Sequence, residues 1–481
     1  MRKRFVTNLF FLLALNILIK SFWILGVDRG VQNAVSAQDY GLYFALLNFT
    51  FIFNIILDFG LTNYNNRLIA QHPQLLTKYI SQLVPIKFAM ALVFTIVVFL
   101  VAILLGYDAY ALKLLGILCV SQFLASLLTY LRSNISGLQL FKTDSVLSVM
   151  DKFIVIVFCS ILLWGGVLKS NFKIEYFIFI QLFAYLITVL VALAICLRKA
   201  KFVHLQWNRP FIMKIIKDSY PFAILTLLMA FYYRADSVMI ERILDNGADQ
   251  AGIYASAYRL VDAANMIAYL FSIILLPLFS NLIKEKQDVQ PIIKISFHLL
   301  LMLTVCFVVL SQFYGYNLMD LMYNKHIGES WQVFRILSFC FIPIAMNYIF
   351  GTLLTSNGSL KYLNIVAAIG MVLNIGVNLI LIPKFFAVGA AYSSLIAQTA
   401  IALFQAFIAI KIFEIKFDGI YVLRIILFVL SIILSTYLLK EITTSWVYNI
   451  FITSIVMVVL SFVFKIFRIK DVTSLLKASK E

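Results

Sequence analysis

Long apolar runs separated by short polar segments dominate the pattern of this chain. About 14 of these runs are near 20 residues long, the length that an α-helix needs to cross the ~30 Å hydrocarbon core of a bilayer. We therefore predict an all-α, polytopic membrane protein. The predicted spans are residues 7–27, 40–61, 80–105, 110–136, 146–167, 174–197, 218–241, 251–280, 292–315, 330–355, 362–382, 387–411, 419–439 and 444–464.

The composition agrees with this interpretation and removes several classes of protein. Hydrophobic residues make up 63% of the chain and charged residues 13%, which excludes a soluble globular protein. The predicted loops do not exceed about 20 residues and hold no soluble catalytic domain, so we predict that the protein is not an enzyme. The five cysteines lie singly in apolar runs, and we expect no disulfide framework, metal site or cofactor.

The basic residues predict the orientation in the membrane. With the N-terminus inside, the inner segments with their flanking residues hold roughly 23 Lys and Arg and the outer loops roughly 7. This asymmetry obeys the positive-inside rule and places both termini in the cytoplasm. We assign the net charge of +17 to contacts with anionic lipid headgroups rather than with nucleic acid. The basic start and the following apolar run have no small-residue cleavage site, which predicts an uncleaved first span.

Two short motifs recur six spans apart and indicate a duplication. The second and eighth predicted spans open with DYGLY (39–43) and QAGIY (250–254), and the fourth and tenth close with SNISGLQ (133–139) and SNGSL (356–360). Because six is even, the copies share orientation, as in a parallel repeat about the membrane normal. We predict an N-terminal six-helix lobe (1–200), a basic cytoplasmic connector (201–217), a second six-helix lobe (218–412), and a helix pair with a basic tail (413–481).

Ionisable residues inside the seventh and eighth spans are the leading candidates for function. Arg234 and Asp236 lie in the seventh span, and Arg259 and Asp262 lie in the eighth. Each is unfavourable in a bilayer by roughly 2.5–3.5 kcal/mol on insertion scales, so such residues normally face a protein interior or a watery cavity. Arg259 and Asp262 share a helix face and can pair, whereas Arg234 and Asp236, two positions apart, face different ways. Either these residues form salt bridges that fix packing, or they form a cationic patch for an anionic ligand with a carboxylate that gates access.

Three more charged residues extend this set. Lys20 in the first span and Lys152 in the fifth join the arginines as candidate substrate-binding cations. Asp58, near the inner end of the second span, is either a gating or coupling residue or a polar group at a helix end. Lys87 lies six or seven residues into its span, and the pattern does not decide whether it is a snorkelling side chain or a functional one.

Several stretches carry a resemblance to a known family. They are DYGLY (39–43), RADSVM (234–239), GIYASAYRL (252–260), and IPKF (382–385) leading into VGAA (388–391). Over essentially its whole length, the chain resembles the Wzx-type polysaccharide flippases of the multidrug/oligosaccharidyl-lipid/polysaccharide (MOP) exporter superfamily. Family members often have glycine where this chain has Phe386.

The resemblance implies an architecture and a cargo. It implies two six-helix lobes in a V around a central cavity, a further helix pair, and alternating access. The implied cargo is an undecaprenyl-diphosphate-linked oligosaccharide, moved to the outer leaflet of a bacterial plasma (inner) membrane for surface polysaccharide or O-antigen synthesis. Coupling to H⁺ or Na⁺ is common in the superfamily, and a polysaccharide polymerase is an expected partner.

Physical chemistry agrees with that cargo. A diphosphate cannot cross hydrocarbon unaided, and arginine can bind phosphate oxygens in a bidentate manner. The sugars would find aromatic stacking faces on Tyr233, Tyr258 and Tyr269, although tyrosines also simply fill membrane helices.

Two other functions compete with the flippase. A cation-coupled drug antiporter of the same fold would favour a cavity dominated by carboxylates, whereas arginine and lysine are as prominent here. A membrane polysaccharide polymerase or glycosyltransferase is opposed by the lack of an Asp-x-Asp motif and of a large outer loop. The chain also has no Gly-x4-Gly-Lys-[Ser/Thr] loop for ATP.

Overall fold

The computed structural model describes residues 15–16, 18–165, 171–200, 209–415, 419–442, 445–464 and 466. Within these residues the protein is helical and contains no β-strand. The α-helices are α1 (Arg29–Ala34), α2 (Ala37–Ile52), α3 (Leu61–Gln71), α4 (Leu76–Leu104), α5 (Ala109–Gly137), α6 (Phe141–Trp164), α7 (Ile174–Lys199), α8 (Arg209–Ile243), α9 (Gly247–Lys284), α10 (Gln290–Met322), α11 (Ile327–Ser356), α12 (Leu360–Phe413), α13 (Gly419–Ile442) and α14 (Trp446–Val463). A π-helical segment (Trp23–Asp28) precedes α1, and short 3₁₀ segments cover Asn54–Leu57 and Pro73–Leu75.

Side-chain caps mark the starts of two helices in the described chain. Ser36 Oγ accepts a hydrogen bond from the Asp39 backbone N–H at 3.0 Å and donates one to Asp39 Oδ2 at 2.7 Å, which caps α2. Asp108 caps α5 in the same manner by accepting from the Ala111 N–H at 2.8 Å. Such side chains satisfy backbone donors that the first turn of a helix leaves without partners.

The helices are apolar where they are exposed, as a lipid-facing surface requires. On α4, Leu92, Ile96 and Leu100 recur every fourth residue and form an exposed apolar stripe. Eleven helices of the described chain are long and apolar enough to span a membrane. The predicted all-α, polytopic fold class is therefore confirmed.

Three differences account for the step from about 14 predicted spans to eleven. The first span, predicted over 7–27, lies partly outside the described residues, and its helical course continues to Ala34. The eleventh and twelfth spans are joined in α12, which is interrupted at Phe386, where φ is 53° and ψ is −136°. The prediction of one continuous helix over 40–61 is wrong.

The second span does not continue as one helix into Leu61, because its backbone turns at Phe59 and Gly60. Both have positive φ, 45° and 80°, and a left-handed residue cannot continue a right-handed helix. α2 ends at Ile52, the 3₁₀ turn Asn54–Leu57 follows, and α3 starts beyond the break. A hydrophobic pattern alone does not reveal such a turn.

The chain divides into two compact units, Met1–Ala255 and Ser256–Glu481. The first has a core where α4, α5 and α7 meet, with Leu83, Leu131 and Ala192 buried in it. In the second, Val309 of α10 packs with Phe428 of α13 and Met457 of α14. The division falls inside α9, and the lobe boundaries at 200 and 218 stay a prediction. Of the predicted connector, residues 201–208 lie outside the described chain and Arg209 begins α8.

Candidate functional site

The break in the second span places a backbone carbonyl inside the protein. The Leu57 carbonyl oxygen accepts hydrogen bonds from Lys87 Nζ at 2.9 Å and from Ser126 Oγ at 3.0 Å. Backbone polar groups at membrane depth require partners within the protein, because lipid supplies none. Side chains of α4 and α5 therefore stabilise the broken segment.

Lys87 also neutralises the carboxylate that follows this carbonyl. Its ammonium lies 2.5 Å from Asp58 Oδ1 and 3.1 Å from Ser126 Oγ. An ammonium has three donors, and the Leu57 carbonyl, Asp58 and Ser126 supply three acceptors. Only 1% of the Lys87 side chain is exposed, against 31% of the Asp58 side chain. Lys87 is thus an internal counter-ion rather than a snorkelling side chain.

A cavity of about 820 Å³ opens beside the break. It lies in the first unit and is lined by residues of α2, the broken segment, α3, α5, α7 and α8. Its polar lining includes Asn54, Asp58, Gln122, Ser126, Thr129 and Tyr185. Among the described residues that line this cavity, Asp58 is the one with a formal charge.

Arg234, on α8, contacts an aromatic residue of the cavity lining. Its guanidinium is 5.2 Å from the ring centre of Phe51, which lines the cavity. Its Nη1 donates to Asn48 Oδ1 at 3.3 Å, and Asn48 Nδ2 donates in turn to the Phe44 carbonyl at 2.9 Å. The arginine is half-buried and is not itself a lining residue.

Asp236 faces away from Arg234, as the two-residue spacing predicts. It is buried and accepts a hydrogen bond from Tyr254 OH of α9 at 2.8 Å. Tyr233 is half-buried, with its ring centre 4.6 Å from that of Tyr232. Asp236 and Tyr233 thus each contact another side chain of the first unit.

Lys152 is engaged by neighbouring side chains. Its Nζ lies 3.1 Å from Asp151 Oδ2 and 3.2 Å from Tyr185 OH, and it sits 4.7 Å from the ring centre of Trp23. Lys20 is half-buried and interacts electrostatically with Lys152 and Asp151. Tyr185 lines the cavity, so Lys152 contacts a residue of the cavity lining.

The second unit holds the other predicted pair. Arg259 Nη1 lies 4.0 Å from Asp262 Oδ2, which confirms that these residues can pair along one face of α9. Arg259 is buried, and Asp262 is a quarter exposed. On the same helix, Tyr258 is half-buried, and Tyr269 is exposed with its ring centre 6.0 Å from that of Tyr348.

Lys87 and Gln122 are the residues of this site that sequence reasoning did not assign. A lysine well inside a span and an aspartate near the end of the preceding span were both visible in the pattern. Their 29-residue separation gave no sign that they meet. Gln122 gave no signal beyond being an amide in an apolar run.

The amino-acid sequence matches a protein family and a known relative. The family described as polysaccharide biosynthesis protein matches residues 6–283. The capsular polysaccharide biosynthesis protein CapF of Staphylococcus aureus is 29% identical over 185 residues, which are 36% of this chain and 46% of that protein. The chain thus aligns with less than half the length of this relative.

Two solved structures cover most of the chain. The lipid II flippase MurJ in an inward closed conformation matches with a TM-score of 0.73 at 16% identity, over 93% of this chain and 97% of that one. An inward-facing multidrug resistance MATE family transporter of the MOP superfamily matches with a TM-score of 0.61 at 14% identity, over 81% and 94%. These likenesses confirm the predicted MOP-superfamily fold.

Proposed function

Because the chain belongs to the family of polysaccharide biosynthesis proteins, we propose that it flips undecaprenyl-diphosphate-linked oligosaccharide repeat units across a bacterial plasma membrane. The movement is from the inner to the outer leaflet by alternating access, with both termini in the cytoplasm. The finished unit passes to a polysaccharide polymerase. The fold of a lipid II flippase, shared at a TM-score of 0.73, supports this cargo class.

The observation that carries the proposal is a guanidinium held inside a membrane span. Arg234 lies within the span Tyr220–Ile243 and contacts the Asn48 amide and the Phe51 ring. A guanidinium fits two phosphate oxygens at once. We assign the diphosphate to Arg234 and Arg259, with Lys20 and Lys152 completing the cationic set.

The contact between Arg259 and Asp262 supports a part for both in the transport cycle. At 4.0 Å, their ion pair is longer than a close charge-assisted hydrogen bond of about 2.7–2.9 Å. A phosphate can therefore compete with Asp262 for the arginine. We assign gating or coupling to Asp262, Asp236 and Asp58, with H⁺ or Na⁺ as the coupling ion.

A drug or organic-cation antiporter of the same fold is the second candidate. Asp58 favours it, because a carboxylate on the cavity lining suits a cationic ligand, and the MATE transporter shares the fold. The Lys87 ammonium beside Asp58 opposes it, since this ion pair offsets the negative charge.

Deletion of the gene tests the proposal directly. We expect the deletion strain to lose surface polysaccharide and to accumulate the lipid-linked repeat unit on the inner leaflet, and we expect the wild-type gene to reverse both. Normal surface polysaccharide in the deletion strain, together with new sensitivity to cationic drugs, would instead establish the antiporter.

A further inference from the structure

A buried amide faces the cavity of the first unit without a protein partner. Gln122 of α5 is 6% exposed and lines the cavity. Within the described residues its side chain makes no hydrogen bond. A buried polar side chain is normally hydrogen-bonded, because desolvation without a partner is unfavourable. We therefore expect a molecule bound in the cavity to be the hydrogen-bond partner of Gln122.

Two further polar groups have capacity for a ligand on the same lining. Asn54, in the broken segment, also makes no side-chain hydrogen bond within the part of the chain that the structure covers. The hydrogen bonds that Asp58 accepts from Lys87 and Thr62 both end on Oδ1, while its Oδ2 belongs to a side chain that is 31% exposed. Two amides and a carboxylate oxygen thus line one space.

The electrostatics of the lining identify the kind of ligand. The diester diphosphate of the cargo has only acceptors at neutral pH, and the Asp58 carboxylate also has only acceptors, so the two cannot hydrogen-bond to each other. Lys87 offsets the charge of Asp58 but has no donor left for a phosphate, because its three donors are directed to Leu57, Asp58 and Ser126. Hydroxyl groups, in contrast, can donate to Asp58 and both donate to and accept from an amide.

The shape and the remaining lining agree with a carbohydrate. The volume of about 820 Å³ falls in the roughly 300–1,000 Å³ range of small-molecule sites. Phe51, Tyr185 and Phe222 add aromatic side chains to the lining, which offer apolar faces beside the hydrogen-bonding groups.

We propose that this cavity is the glycan site of the cargo and binds an uncharged sugar through Gln122, Asn54 and Asp58. The inference rests on the proposed function, and it separates two tasks. The diphosphate is bound by the cationic residues outside this lining, whereas the cavity selects the sugar.

Protection of a thiol tests the site in the full-length purified protein. Ala125, one turn from Gln122 on the same lining, is changed to cysteine in a chain whose five native cysteines are alanine. The probe is the oligosaccharide released by mild acid from the lipid-linked intermediate of the deletion strain. At saturation we expect it to slow maleimide labelling at least tenfold, while inorganic pyrophosphate changes the rate less than twofold.

A second pair of variants tests the residues. Gln122→Leu should raise the oligosaccharide concentration for half-protection at least tenfold, because a site that loses a directed hydrogen bond to its ligand loses much of its affinity. Gln405→Leu is the matched control: Gln405 is also a buried glutamine but does not line this cavity, and it should change that concentration less than twofold. If Gln122→Leu does not reach the membrane, Asn54→Ala replaces it with the same expected shift.

The outcomes separate the two proposals. A deletion strain without any lipid-linked intermediate overturns the proposed function and this inference with it. An accumulated intermediate whose oligosaccharide gives no protection, or pyrophosphate that protects equally well, overturns the glycan site and leaves the flippase intact.

Discussion

Gly41 of α2 and Gly252 of α9 each pack against the backbone of the other's helix. A Cβ on Gly41 would overlap the Ala248 carbonyl oxygen, and a Cβ on Gly252 would overlap the Ala37 carbonyl oxygen. Each glycine lies four residues after the alanine that its counterpart contacts, so two small-xxx-small stripes meet, as in close helix pairs of membrane proteins. These are the two glycines of the recurring Gly-x-Tyr motif.

We expect Gly41→Ala to destabilise the protein by about 1–3 kcal/mol, the usual cost of overpacking a close contact. The measurement is the midpoint of thermal unfolding in detergent, with membrane abundance as a second readout. Gly376→Ala is the control, because a Cβ there meets open space and a helical alanine is favoured over glycine. Equal midpoints for the two variants would contradict the close packing.

Removal of Lys87 should be the most harmful single change in the first unit. Lys87→Met leaves Asp58 and the Leu57 carbonyl without their ammonium partner, and breaking a buried ion pair costs about 3–5 kcal/mol. Because Asp58 is partly exposed, we expect a loss at the lower end of that range. Lys113→Met, at an exposed position of α5, should stay within about 0.5 kcal/mol. Recovery in the double variant Lys87→Met, Asp58→Asn would identify the unpaired carboxylate as the cause.

Arg259→Ala should stop polymer export while leaving the protein in the membrane. The arginine is assigned to the diphosphate, so its loss removes a cationic donor from the path of the cargo. Surface polysaccharide and protein abundance are measured in the deletion strain. Arg335→Ala is the matched control at an exposed position of α11 and should support normal export. Wild-type export from Arg259→Ala would remove this residue from the phosphate site.

Asp262→Asn should alter the dependence of transport on the proton gradient. The asparagine cannot change its charge, so any coupling through this carboxylate is lost. Transport of the lipid-linked unit in proteoliposomes is compared with and without an imposed pH difference. An unchanged dependence would exclude Asp262 from coupling, and Asp320→Asn, also on a helix of the second unit, provides the comparison.

Phe386→Gly should stabilise the protein. Its φ of 53° and ψ of −136° lie in a region almost reserved for glycine, where another residue stores about 1–3 kcal/mol of strain. We expect a net gain of about 1 kcal/mol after the greater flexibility of glycine in the unfolded chain is subtracted. Phe385→Gly removes a similarly exposed ring at a helical position and should be destabilising. A loss of stability in both variants would refute the strain.

The sequence predicted what depends on local pattern and missed what depends on distant contacts. Hydropathy located the helices, and the i, i+3 spacing predicted that Arg259 and Asp262 can pair. The break before Gly60 was missed, because apolar residues continue through it. The contact of Lys87 with Asp58 was also missed, since it joins α4 to the broken segment, and no periodicity within one helix reports such a contact. Phe386 was noticed as a departure from the family, but its positive φ needed the structure.

The ion pair of Asp58 and Lys87 should change during evolution together with the charge of the polymer. A repeat unit that contains a uronic acid would bring a second carboxylate to a lining where Asp58 already offers only acceptors and Lys87 has no donor left. We expect orthologues whose cargo is acidic to have another residue in place of Asp58. Because Lys87 would then lack its counter-ion, we expect the buried lysine to be replaced together with it. The residues at positions 58 and 87 of bacterial homologues would then predict whether the polysaccharide of each strain is neutral or acidic, before its sugars are analysed.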